Sequence, residues 1–258
     1  MYYSRRRALR LGTGTLAGMG VAAVLPLRAS AQAALANPSD NGEIVIHPVE
    51  HASMGLEVPG MVIHVDPVGD PAAYAGLPSP DLILITHEHG DHYAPETLAA
   101  LVGEQTRLLT NPAVHAMLPA DLQARATAIA NDERTTVNDI GILAVPAYNI
   151  TEDRLQYHPP GRDNGYVLEI DGQRVYIAGD TEDIPEMRAL EGIDIAFLPM
   201  NLPYTMDVAQ AASAVDAFAP RVVYPYHYGE SDLDEFLMLV TEAGGETEVV
   251  LVDWYPGG

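Results

Sequence analysis

The sequence predicts an α/β domain, on three observations. Short apolar runs of strand character alternate with stripes at helical spacing, Asp171-Gly172 supplies a hairpin signal, and polar residues able to do chemistry follow the ends of the apolar runs. The first expected strands cover 43–46, 54–58 and 61–65, with Pro59-Gly60 as the turn between the last two. Residues 81–85, Asp-Leu-Ile-Leu-Ile, read as a strand covered on both faces, because a half-exposed strand would alternate apolar with polar. Pro95 suits a first helical turn, and Leu98, Leu101 and Val102 continue at helical spacing. Strands then follow at 141–145, 166–170 and 174–178, the last two joined by Asp171-Gly172. Residues 193–198 form another buried strand, and Val208, Ala211, Ala212, Val215 and Phe218 mark one face of a helix. A strand at 221–224 leads to His227, a helix covers 232–243, and a closing strand covers 248–254.

With 258 residues, 48% hydrophobic and 19% charged, the chain has the composition of a folded protein. Ser4-Arg5-Arg6-Arg7, the weakly apolar stretch 11–27 and Ala29-Ser30-Ala31 read as a twin-arginine signal peptide over 1–31, cleaved near Gln32. Glycines interrupt that stretch, which argues against an uncleaved membrane anchor. The expected order is therefore signal, linker over 32–42 and one domain over 43–258, with a periplasmic or secreted product. Removing the five leader arginines, at 5, 6, 7, 10 and 28, takes the net charge from −23 to −28. Such a surface repels nucleic acid and anionic membranes, so the expected partner is a small-molecule substrate. No cysteine is present, which excludes disulfides, thiolate ligands and cysteine nucleophiles. A metal would have to be held by histidine, carboxylate or amide.

The strand at 81–85 runs into Thr86-His87-Glu88-His89-Gly90-Asp91-His92. Imidazole and carboxylate are good ligands for zinc and similar ions, and a tight loop can converge four of them on one point. His-x-His-x-Asp-His arises by chance in roughly one random chain per thousand, so a plain solvated loop is the weaker reading. Asp180 and His227 each follow a strand. Alone, one reads as a turn residue and the other as a packed histidine; their shared position at strand ends is what allows them to meet the first cluster.

Together with His51-Ala52-Ser53, Asp66-Pro67 and Gly179-Asp180-Thr181, these residues make the chain similar to the metallo-β-lactamase superfamily. The likeness points to the branch with the L-ascorbate-6-phosphate lactonase-like and N-acylphosphatidylethanolamine phospholipase D-like hydrolases, and it spans nearly all of the mature chain. It implies a four-layer αβ/βα sandwich with two divalent metal ions, zinc or else manganese or iron, along one edge. On that likeness His87 and His89 bind the first metal, Asp91, His92 and His227 the second, and Asp180 bridges them. Relatives usually carry one more histidine for the first metal, where this chain has Asn149. Either the amide oxygen of Asn149 coordinates, or His158 replaces that histidine, or the first metal is held more loosely; His158 is favoured because imidazole is the better zinc ligand. His51 is expected beside the metals, and His47, His64 and His115 as structural or exposed. Tyr148, Tyr204 and Tyr228 could donate to substrate or simply pack, and 200–204 is the expected pocket loop.

The activity so implied is metal-dependent hydrolysis of an ester, lactone or phosphodiester, with Asp91 handling the proton. The alternative is a non-catalytic metal- or ligand-binding envelope protein of the same fold. A redox di-iron protein would need carboxylates where this chain has histidine or asparagine.

Overall fold

The computed structural model describes residues 35–255, so the expected signal peptide lies outside the described residues. Two seven-stranded sheets face each other. The first comprises β1 (Leu35–Pro38), β2 (Glu43–Glu50), β3 (Ser53–Val58), β4 (Met61–Val65), β5 (Leu82–Ile85), β6 (Arg107–Thr110) and β7 (Ala126–Ala128), in that spatial order. The second comprises β8 (Arg134–Val137), β9 (Ile140–Ala147), β10 (Asp163–Ile170), β11 (Gln173–Ile177), β12 (Ile195–Pro199), β13 (Val222–Tyr226) and β14 (Glu248–Val249), again in sequence order. Each sheet has an antiparallel half, built of hairpins, and a parallel half, built of crossovers.

Helices cover the outer faces. α1 (Pro95–Leu101), α2 (Pro112–Met117) and α3 (Ala120–Gln123) pack on the first sheet; α4 (Pro185–Arg188), α5 (Val208–Phe218) and α6 (Leu233–Ala243) pack on the second. This is the expected four-layer α/β sandwich. The pleat of β5 explains its all-apolar sequence: Leu82 and Leu84 enter the core between the sheets, while Ile83 and Ile85 face α1 and α2. In β12, Ile195 and Phe197 face the same central core, whereas Ala196 and Leu198 meet α5. Asp207 caps α5 through a full capping box with Gln210, and Gly244 ends α6 in a left-handed turn. Among the described residues no helix is long and apolar enough to cross a membrane.

Three differences from the sequence reading concern edges. Residues 35–38, read as part of a linker, form a strand paired antiparallel with β2, its polar Asn37 buried against the Tyr224 hydroxyl. The closing strand expected over 248–254 pairs as a strand only at Glu248–Val249. The remainder makes only an isolated bridge at Val252 and bends at Trp254, and Val250, Val252 and Trp254 are buried in the central core. Strands β6, β7 and β8 were not expected at all; each is only three or four residues long, too short for a period to show.

Candidate metal centre

The site lies along one edge of the sandwich, where β5, β11 and β13 end. β5 delivers the 87–92 loop, β11 leads through Gly179 to Asp180, and β13 ends one residue before His227. Gly179 has a φ of +66°, and a Cβ there would stand 2.8 Å from the Asn164 carbonyl oxygen, so this turn excludes larger residues. His51, Asp66 and His227 also hold left-handed backbone, at φ +55°, +43° and +46°. Such strain in non-glycine residues concentrates where a fold must aim particular side chains.

Asp180 is the centre of the arrangement. Its Oδ2 lies 3.3 Å from His227 Nε2, 3.4 Å from His158 Nε2 and 3.9 Å from His87 Nε2, and its Oδ1 lies 3.3 Å from His92 Nε2. Asp91 Oδ2 lies 3.4 Å from His227 Nε2 and 3.2 Å from His51 Nε2. Ligand atoms converge within 4.8 Å in three overlapping groups: His87, His89 and His158; His87, His92 and Asp180; and His51, Asp91, His92 and His227. The structure thus gathers every residue the sequence nominated, His158 included. Asn149 donates through Nδ2 to the Arg154 and Tyr204 carbonyls and through its backbone N–H to the His158 carbonyl, while its Oδ1 is buried without a hydrogen bond among the described residues.

Do these residues fit a metal? His87 Nε2, His92 Nε2, His227 Nε2 and Asp180 Oδ1 are buried, and none makes a hydrogen bond among the described residues. Unpartnered buried polar atoms are costly, and four of them aimed at one another fit a cation between them. The opposite ring nitrogens are held: His92 Nδ1 lies 2.8 Å from Asp66 Oδ2, His158 Nδ1 3.0 Å from Asp163 Oδ2, and His87 Nδ1 3.0 Å from Thr86 Oγ1. A carboxylate or hydroxyl behind each of these three imidazoles fixes its tautomer and turns the other nitrogen inward, the usual support for a metal-binding histidine, whereas His227 Nδ1 has no such partner among the described residues. Asp66 also accepts from the Thr86 N–H and hydroxyl, so one buried carboxylate orders the start of the 87–92 loop.

The electrostatics agree with the geometry. Burial, reinforced by His92, holds His87 well below the ordinary histidine range. Burial works against charge on His92 and His158 as well, but Asp180 and Asp66 raise the first far above its ordinary value, and Asp163 and Asp180 push the second up to about 9. Asp180 is kept ionised against burial by His227 and His92, and Asp91 by the adjacent His227 and His51. The cluster is therefore a set of carboxylate anions surrounded by imidazoles in need of positive charge.

Glu182 and Asp163 went unnoticed in the sequence. Glu182 is fully buried; its carboxylate accepts from the Ile150 and Thr151 N–H groups, each at 2.6 Å, from the Thr151 hydroxyl at 2.7 Å, and pairs with Arg154 at 2.8 Å. It clamps the loop that brings in His158. No spacing signals this, although its position two residues after Asp180 could have prompted the question. Of the three tyrosines, Tyr148 donates to Glu186 and Tyr228 to the Val252 carbonyl, so both are structural. Tyr204 stays exposed beside Tyr157, its ring 5.0 Å away. His47 pairs with Glu57, and His64 is buried against Tyr74, both away from this edge.

Comparison with known proteins agrees with this geometry. A model of the beta-lactamase superfamily domain matches residues 45–227. A UPF0173 metal-dependent hydrolase of Thermococcus onnurineus is 36% identical over 205 residues, covering 74% of this chain and 88% of that protein. One from Pyrococcus furiosus is 34% identical, covering 74% and 90%. Among solved structures, a Parabacteroides distasonis chain assigned to the metal-dependent hydrolases is 41% identical with a TM-score of 0.78, covering 86% of this chain and 99% of that one. Igni18, a metallo hydrolase from Ignicoccus hospitalis, is 26% identical with a TM-score of 0.67, covering 83% and 95%. With the matched model spanning well over half its length, the chain belongs to the metallo-β-lactamase superfamily, alongside the UPF0173 metal-dependent hydrolases.

Proposed function

We propose that this chain is an exported hydrolase that uses two divalent metal ions to cleave a carboxylic ester or lactone in a small, uncharged substrate. The observation that carries the reading is the convergence of His87, His89, His92, His158, His227 and Asp91 around the buried Asp180. His87, His89 and His158 would hold one ion, Asp91, His92 and His227 the other, and Asp180 both. Bound there, zinc or a similar ion would supply an activated water and polarise the scissile carbonyl. Asp91, half exposed and next to His51 and His227, is the group placed to take a proton from the attacking water and return it to the leaving oxygen.

The surroundings support a substrate without phosphate. Arg154 and Arg162, the cations on the loops beside the site, are committed to Glu182 and to Asp163 and Glu88. The exposed Ile150 and Leu155 lie on the 148–162 loop with these arginines, and Leu202 and Tyr204 lie on the 200–207 loop, which Asn149 and Arg154 tie to it. An apolar rim without a free arginine suits an acyl or aromatic ester better than a phosphodiester. Export rests on the twin-arginine pattern at 4–31 and is tested by the mass of the mature N-terminus.

The deciding experiment is a panel of esters, lactones and phosphodiesters assayed with metal-quantified protein. The expected result is about two ions per chain, ester or lactone turnover that a chelator abolishes, and loss of roughly 10²–10⁴ in kcat on Asp91→Asn with the fold intact. Metal-loaded protein that turns over nothing, or an active Asp91→Asn variant, defeats the reading.

A further inference from the structure

We propose that Tyr255 and His51 form a positioning pair that orients Asp91 through a hydrogen-bond chain of fixed direction, with His51 held as the Nε2–H tautomer. The inference rests on the reading of Asp91 as the proton-handling group. It adds two residues that lie far apart in the chain, one in the turn between β2 and β3 and the other in the C-terminal segment.

The direction follows from what each atom can do. His51 Nε2 lies 3.2 Å from Asp91 Oδ2. An ionised carboxylate only accepts hydrogen bonds, so the ring nitrogen facing it carries the hydrogen. Nδ1 is then a bare acceptor, and the group 2.8 Å from it is the Tyr255 hydroxyl. That hydroxyl already accepts the Gly229 N–H at 2.9 Å, which leaves its own hydrogen to point at His51. The chain therefore runs from Gly229 N–H to Tyr255 Oη, from Tyr255 O–H to His51 Nδ1, and from His51 Nε2–H to Asp91, every donor matched to an acceptor. The opposite tautomer would set lone pairs of His51 and Asp91 against each other and leave the tyrosine hydrogen without an acceptor among the described residues.

The backbone is built to hold this chain. His51 adopts φ +55°, a left-handed conformation unfavourable for a residue with a Cβ, and hydrogen bonds fix it on both sides. Its N–H donates to the Trp254 carbonyl at 2.9 Å, and its carbonyl accepts the His227 N–H at 3.1 Å. The residue preceding Tyr255 thus grips the turn that carries His51, and Tyr255 grips its ring. Tyr255 is itself seated edge-on against Tyr228, with ring centroids 5.0 Å apart. Asp91 has a half-exposed side chain, and His51 and His227 are the two groups that approach its Oδ2. Limiting it to one rotamer raises the fraction of time it faces the reacting atoms.

Two measurements test this. Long-range 1H–15N spectra of the zinc-loaded full chain report each histidine's tautomer, and the signals lost in His51→Gln assign His51. The expected result is Nε2–H for His51 and, in Tyr255→Phe, a mixture of tautomers. An Nδ1–H form, or an Nε2 without hydrogen as in a metal ligand, overturns the proposal whether or not the protein is a hydrolase. Kinetically, Tyr255→Phe keeps the ring but loses the hydroxyl, and should lower kcat about tenfold with KM and bound zinc unchanged. His51→Gln, whose amide can still donate to Asp91, should retain more kcat than His51→Ala. An unchanged kcat in Tyr255→Phe, or a loss that tracks lost zinc, contradicts a positioning role, whereas a wild-type protein inert on every substrate defeats only the hydrolase reading.

Discussion

Two histidines illustrate how neighbours decide what one residue type does. His158 is buried between two carboxylates and turned towards Asp180, whereas the neighbouring Asn149 spends its amide hydrogens on backbone carbonyls. His158→Ala is therefore expected to lower bound metal from about two ions per chain to about one, and Asn149→Ala to keep both ions while loosening the loop. Metal analysis of the two purified variants separates them; full occupancy in His158→Ala would remove it from the ligand set. His64 has no such partner. Burial, with the Pro78 carbonyl pulling the other way and His47 adding a smaller push, lowers its ring to about 4. Between pH ~6.5 and ~4 the unfolded chain takes up a proton at His64 that the folded chain refuses, so stability falls as the pH drops through that window. The wild type should lose up to about 1.4 kcal/mol per pH unit there relative to His64→Leu, read from urea melts at several pH values. Parallel pH profiles for the two proteins would show that His64 is not held neutral.

At the scale of elements, the site depends on loops that cannot fold by themselves. Residues 149–158 lack regular structure and are ordered by Glu182, which stands two residues beyond Asp180. Glu182→Ala would strip an acceptor from two backbone N–H groups, a hydroxyl and a guanidinium in a buried setting, a loss of ~3 kcal/mol. The expected signs are a lower melting temperature, faster proteolysis within 149–158 and weaker retention of one metal ion. Loss of stability with metal retention unchanged would separate the clamp from the metal site. Hairpin and parallel strands meet different fates in the sequence for a similar reason. Asp171-Gly172 announces its hairpin because Asp171 and Gly172 both adopt positive φ, at 46° and 81°. β6 and β7 announce nothing, since their pairing partners, β5 for β6 and β6 for β7, are supplied by the sheet rather than by their own composition.

The whole molecule carries a net charge of −23, with 36 Asp and Glu against 13 Lys and Arg. Self-repulsion of this kind opposes compactness and weakens as salt shortens the screening length from ~10 Å at 0.1 M to ~3 Å at 1 M. The melting temperature should therefore rise between 0.1 and 1 M NaCl by about 2–4 °C, corresponding to ~1 kcal/mol. A flat or falling curve would mean that attractive ion pairs such as Arg162 with Glu88 and Asp163 outweigh the repulsion.

By itself the sequence determined the α/β class, its likeness to a known family implied the layering, and its motifs named the residues that gather at one edge. The all-apolar Leu82-Ile83-Leu84-Ile85 needs cover on both faces, and a His-x-His-x-Asp-His loop at its end has few uses other than holding cations. Only the tertiary structure brought His158 up to Asp180, set Asp66 behind His92, and revealed Asp163, Glu182 and Tyr255 as supports. The physical reason is that a ligand set needs particular atoms, which short local spacing can display. The groups that aim and fix those atoms are defined by distance in space, which only the closing of the two sheets creates.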